Sequence, residues 1–348
     1  MRPVYDCHVH MNEPDFKKSE MTLDVLHAIG TERAALLSLT YKFTSYNLWL
    51  LYLKEKYKKM KLSVLGMINN RDIYESIPFD VQARALMEMG CDGIKMMYNP
   101  IARKALGYGV NDARYDAMID YLEEQDIPVL MHVNDPESYW VVRELTPHEV
   151  MRDWGYFKEG FLTKQEIYNE TYEMLDKHPR LRVILAHFYF LSYDIKEAER
   201  VMEKYPNVYF DLTPGWEMYV GFSRDIPAWR AFFIKYSDRI LFGTDSDNDK
   251  KTNAEIHLLV KMALTHDESE FMMPCYTEKL IRGLSLPADV LDKIFYKNYE
   301  RFFGEPRDVN MDAVLRAAER VLADSGKIDG DAATREREWI CEFIKEYK

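Results

Sequence analysis

Short apolar runs rich in β-branched residues recur along the chain at residues 3–10, 34–40, 62–68, 92–97, 127–133, 181–187, 207–212 and 239–245. Most of them repeat at roughly thirty residues, the size of a strand–helix unit. The stretches between them carry the helical period. Val81, Ala85, Leu86 and Met89 form one stripe before Gly90, and Ala117, Met118, Tyr121 and Leu122 form another before Asp126. Eight alternating units predict parallel strands that close on themselves, an α/β protein of the (β/α)8 TIM-barrel class, rather than an open sheet.

Two intervals break the rhythm. Between His132 and the run ending at His187 the chain is far longer than a loop plus a helix. Residues of about 135–162 therefore read as a lid-like insertion carrying Tyr139, Trp140, Arg143, His148, Trp154, Tyr156 and Phe157, after which Thr163 to Asp176 reads as the barrel helix. After Gly304-Glu305-Pro306 the alternation stops, so the barrel is expected to occupy residues 1–305 and a helical extension residues 306–348. Its first helix runs from about Met311 to Asp324. Its second, from about Ala332 to Tyr347, places Trp339, Ile340, Phe343, Ile344 and Tyr347 on one stripe. That stripe needs a cover. The outside of the barrel is expected, with a second subunit of a homo-oligomer as the alternative.

The candidate chemistry sits at the strand ends. His8 and His10 lie two apart in the first run, and alternate strand positions share a face. Three further runs end in His132, His187 and Asp245. Imidazole nitrogens and a carboxylate suit zinc or another divalent first-row ion, and a catalytic centre leaves a coordination position open. Barrel enzymes build their sites at the carboxyl ends of the strands, where all five residues fall. By the same alternation Cys7 points away from His8 and His10 and is expected outside the barrel. His27, His148, His178, His257 and His266 fall away from strand ends and read as surface or packing residues.

Composition narrows the class further. With 348 residues and 47% hydrophobic content, the chain can bury one large core. The net charge of -12 and the lack of a basic run argue against nucleic acid as a partner. The four cysteines are scattered without pair spacing, as in a reduced cytoplasmic protein. No signal-like segment precedes the first strand, and no apolar stretch approaches the ~20 residues of a membrane span. A cytoplasmic protein with a small-molecule substrate is expected, with no membrane partner.

Taken in order, His8-Val9-His10, His132, His187 and Gly243-Thr244-Asp245 resemble the amidohydrolase superfamily. The likeness covers roughly residues 1–305 and is nearest to the amidohydrolase-related branch, which includes aminocarboxymuconate semialdehyde decarboxylase and its hydrolytic relatives. It implies one divalent ion, zinc by expectation, held by His8, His10, His132 and Asp245, with His187 facing the metal-bound water or serving as a further ligand. His187 and Asp245 are then the proton-handling, catalytic pair. Lys95 falls on the fourth strand, where relatives carry either a carboxylated lysine bridging two metals or a glutamate. Three readings stay open: a carbamate with a second ion, an ammonium that holds a substrate carboxylate, and structural pairing. The branch often has a proline two residues after the aspartate; Asp247 stands here instead and reads first as a cap or a solvated loop residue, with a second ion or a substrate hydroxyl or amine as the alternatives. Lys95, Tyr98, Asn134 and Trp216 are the candidate substrate-binding residues.

The expected function is a metal-dependent hydrolase acting on an amide, lactone or ester carbonyl. The nearest alternative keeps the metal and performs a non-oxidative decarboxylation. Outside that class stand a Schiff-base lyase using Lys95 and a non-catalytic binding barrel.

Overall fold

In a computed structural model of the chain, which describes residues 2–41, 43–69, 74, 76–141, 155–215, 217–248, 251–324 and 331–347, the eight predicted strands are all present. They are β1 (Val4–Val9), β2 (Thr31–Leu37), β3 (Lys61–Met67), β4 (Gly93–Tyr98), β5 (Val129–Val133), β6 (Val183–Leu185), β7 (Val208–Asp211) and β8 (Ile240–Leu241). Each pairs in parallel with the next. The barrel closes through a parallel bridge between Val9 and Ser246 and through N–H donation from Cys7 to the Phe242 carbonyl and from Asp245 to the His8 carbonyl.

Strand alternation divides the core into two layers. Leu36, Val64, Ile94, Met131 and Leu185 face outward, into the layer between sheet and helices. Ala35, Leu37, Leu65, Leu130, Ile184 and Leu241 face inward and fill the lower barrel, which Tyr299, Phe302 and Phe303 plug from beneath. Cys7 corrects the expectation that it lies outside, because it is buried in this inner cluster with Tyr5. The register of β1 against β2 shifts between Asp6 and Val9, and a bulge of this kind inserts a residue and restarts the alternation. Tyr5 and Cys7 thus fill the barrel below, while His8 and His10 enter it above.

Around the strands run α1 (Phe16–Ala28), α2 (Tyr46–Lys56), α3 (Phe79–Met89), α4 (Pro100–Leu106), α5 (Asp116–Glu124) and α6 (Lys164–Lys177). Thr163 starts α6 with a reciprocal capping box to Glu166, close to the predicted boundary. In the insertion, Tyr156 packs on Tyr139 and Trp140 and donates its hydroxyl to Asp135 at 2.6 Å. Arg143, His148 and Trp154 lie outside the described residues. An antiparallel hairpin, β9 (Glu270–Met273) and β10 (Thr277–Arg282), was not anticipated, since its mixed polar sequence carries no clean alternation.

Further helices complete the chain: α7 (Ile195–Lys204), α8 (Met218–Phe222), α9 (Ile226–Lys235), α10 (Asn253–Thr265), α11 (Ala288–Asp292), α12 (Asn298–Phe303), α13 (Met311–Asp324) and α14 (Asp331–Tyr347). The aromatic stripe of α14 lies on α2. Trp339 meets Trp49 edge-on at 5.6 Å, and Phe343 and Tyr347 meet Tyr52 at 5.6 and 6.2 Å. No helix among the described residues is long and apolar enough to cross a membrane. Phe343 is buried, so Phe343→Ala should cost about 3–5 kcal/mol, read as a lower urea midpoint at an unchanged slope. An unchanged midpoint would mean that α14 does not dock on α2.

Candidate metal centre

The strand ends that carry the polar residues are where the backbone leaves regular geometry. Asn134, His187 and Asp245 all have positive φ (65°, 57° and 56°), and Phe188, Tyr189 and Phe190 continue the left-handed path after His187. Such conformations are costly for residues with a Cβ and persist only where the surroundings enforce them. Here Phe188 is clamped among Phe210, Phe222, Trp229 and Phe233, and the Tyr189 carbonyl accepts the Tyr168 hydroxyl at 2.7 Å. The turn brings His187 into the barrel although it follows the inward-facing Ala186 directly.

Three of the predicted ligands converge. The Nε2 atoms of His8 and His10 lie 3.7 and 3.4 Å from Oδ1 of Asp245, and the ligand atoms of all three residues fall within 4.8 Å of one another. Their tautomers are set from behind. His8 Nδ1–H donates to Asp211 Oδ2 at 2.9 Å, and His10 Nδ1–H donates to the Leu37 carbonyl at 3.0 Å. A carboxylate or carbonyl on one nitrogen leaves the other with its lone pair free for an ion. Burial, with the neighbouring His8 and Lys95, holds His10 well below the usual imidazole pKa against the pull of Asp245, so its ring stays neutral at pH 7 as a ligand must. The donor set fits one divalent ion.

His132 stands beside this trio. Its Nε2–H donates to the Asn134 carbonyl at 3.1 Å, and its Nδ1 meets Nε2 of His187 at 3.1 Å. His187 therefore has acceptors on both sides, since its Nδ1 is 3.3 Å from the Thr213 carbonyl. Burial and the adjacent His132 and His8 push its pKa well below the ordinary value.

The amidohydrolase family matches residues 70–304, over half of the chain, a stretch that contains His132, His187 and Asp245 and begins after His8 and His10. The chain belongs to the amidohydrolase family. Among solved structures it is similar to that of an amidohydrolase II, at 16% identity over 87% of this chain and 100% of that one, with a TM-score of 0.51. It is also similar to a protein described as an amidohydrolase from Staphylococcus aureus, at 14% identity over 87% of this chain and 99% of that one, with a TM-score of 0.53. At such identities the likeness speaks for the fold alone. No curated protein matches.

Above the candidate ligands of this amidohydrolase opens a cavity of about 740 Å³, whose walls include Tyr41, Met67, Met97, Tyr98, Tyr139 and Tyr156. Lys95 reaches it from β4, fully buried and with no hydrogen-bond partner for Nζ; burial lowers its pKa to about 8 despite the nearby Asp211 and Asp245. Tyr98 also lines the cavity, its hydroxyl engaged by Glu170. Asn134, the other described substrate-binding candidate, is not among the lining residues, and its side-chain amide donates to the Lys164 carbonyl at 3.0 Å. Trp216 lies outside the described residues. Asp247 corrects the cap reading, because Thr252 occupies the cap of α10 and Asp247 lines the cavity, buried.

Asp211 was missed as a functional residue. It is the last residue of β7, as His132 is the last but one of β5, so the strand-end rule could have found it. Gly243 is required by space, since a Cβ there would collide with Thr213 Oγ1. Asp211→Asn should weaken zinc affinity about 10–100-fold with the circular dichroism spectrum unchanged, because an amide no longer guarantees an acceptor for His8 Nδ1–H. Unaltered affinity would remove Asp211 from the account.

Proposed function

We propose that this amidohydrolase is a metal-dependent hydrolase that opens a neutral amide, lactone or ester in the cavity above His8 and His10. His8, His10 and Asp245 would hold the ion, with His132 Nδ1 as the fourth ligand; zinc suits these nitrogen and oxygen donors. When bound there, such an ion polarises a carbonyl oxygen and lowers the pKa of a water from 15.7 to about 7. The chain's own residues do the rest. With His132 Nδ1 engaged as a ligand, His187 keeps its proton on Nδ1, toward the Thr213 carbonyl, and Nε2 is left to take a proton from the attacking water and return it to the leaving group. Its depressed pKa keeps it in the accepting form at pH 7. Asp245 carries a side chain one-third exposed toward the cavity and shares the proton handling.

Charge is the observation that favours hydrolysis over decarboxylation. The described lining residues include three carboxylates, of Asp135, Asp245 and Asp247, and a single ammonium, that of Lys95. A divalent ion would bring these groups to balance, so an anionic substrate would find no surplus of positive charge. Among the described residues, three arginines that could clamp a carboxylate have other partners, and Arg143 lies outside the described residues. Arg103 grips Glu170 through Nε and Nη2, Arg114 lies over Tyr108, and Arg224 lies over Tyr193. The unpartnered Nζ of Lys95 supports a second reading, in which the neutral amine adds carbon dioxide, releases a proton and holds a second ion as a carbamate.

Metal analysis and a panel of neutral lactones, esters and amides alongside carboxylic acids test the proposal. About one zinc-like ion per chain is expected, or about two if Lys95 is carboxylated. Joint replacement of His8 and His10 by alanine should abolish both the cavity metal and turnover. His187→Ala should lower turnover about 100-fold or more while keeping most of the metal. Loss of all metal in the His187 variant would reverse the assigned roles, and turnover confined to carboxylic acids would move the function to decarboxylation.

A further inference from the structure

His178, which follows α6 and reads from the sequence as a packing residue, is 2% exposed, and neither ring nitrogen has a hydrogen-bond partner. Its surroundings are acidic. Nδ1 lies 3.3 Å from Asp120 Oδ1 and 3.6 Å from Glu123 Oε2, and Nε2 lies 3.9 Å from Asp116 Oδ1. All three carboxylates project from α5 at helical spacing, on the outer wall of the barrel, and none lines the cavity. A buried imidazole among carboxylates yet hydrogen-bonded to none has an unmet need for a partner.

The distances suit a shared cation. Donors held at 2.0–2.1 Å around a tetrahedral ion stand about 3.3–3.4 Å apart, close to the separations of Nδ1 from the Asp120 and Glu123 oxygens. The outer groups are already arranged. Glu123 Oε1 accepts the Arg180 N–H at 2.7 Å, which turns Oε2 toward the ring, and Lys177 Nζ holds Asp116 Oδ2 at 2.5 Å. Asp116 Oδ1, 3.9 Å from His178 Nε2, adds a further carboxylate on the other side of the ring.

We infer that Asp120, Glu123 and His178 form a second divalent-cation site of the zinc class, separate from the cavity, which ties the end of α6 to α5. Its role is structural. Asp120 is largely exposed, so water completes the coordination.

The test is calorimetric titration of the protein, purified with its cavity metal in place, with zinc chloride. The wild type should bind one further zinc, and His178→Gln and Glu123→Gln should bind it at least about tenfold more weakly. The His8→Ala/His10→Ala variant should retain this event and gain thermal stability from zinc, a gain that adding His178→Gln removes. If His178→Gln does not fold, Asp120→Asn at the exposed ligand serves instead. Equal uptake by the wild type and these variants, binding only at millimolar zinc, or loss of the event in the His8→Ala/His10→Ala variant would each overturn the inference.

Discussion

The carboxylate of Asp211 has no exposed surface, and three separate parts of the barrel meet on it. Oδ2 accepts Nδ1–H of His8 from β1, and Oδ1 accepts the backbone N–H of His187 at 2.7 Å and of Thr213 at 3.1 Å. Burial pushes its pKa up, while the imidazole and N–H of His187 and the Lys95 ammonium pull it back. A buried charge is tolerable only with such partners, and the partners in turn are oriented by it. One group therefore sets the tautomer of His8 and the entry of the left-handed turn that carries His187. Asp6 does related work one layer below, accepting the Thr244 hydroxyl at 2.5 Å and the N–H groups of His8 and Thr244; burial raises its pKa to about 7.

Much of this was legible in the sequence, because the barrel is encoded by period and the site by strand ends. The eight apolar runs and the C-terminal stripe follow from hydrophobic spacing, which burial enforces. What escaped is what breaks a period. Cys7 was assigned to the outer face because simple alternation has no room for the bulge between Asp6 and Val9. The helix-like turn at His187–Phe190 has no propensity signal, since its left-handed path is imposed by aromatic packing around Phe188. Asn134 illustrates the same limit. Alternation puts it on the face of His132, but its positive φ turns its amide to the Lys164 carbonyl instead.

Strain and electrostatics converge on one design. The left-handed residues at the ends of β5, β6 and β8 pack polar groups closely, and the burial that results keeps His10 and His187 neutral. Neutral imidazoles are what a cation requires, and the described wall residues carry more carboxylates than ammonium groups, a balance that suits a cation. The family likeness and this charge balance arise from independent observations, the first from sequence and the second from side-chain placement.

The most direct test of the claim that His8, His10, His132 and Asp245 bind the catalytic ion is a crystal structure of zinc-loaded protein with anomalous data at the zinc edge. The account predicts a peak at about 2.0–2.2 Å from His8 Nε2, His10 Nε2, His132 Nδ1 and an Asp245 oxygen, with His187 Nε2 facing the open side. A cavity without a peak at full zinc loading, or a peak ligated by His187 in place of His8 and His10, would contradict it.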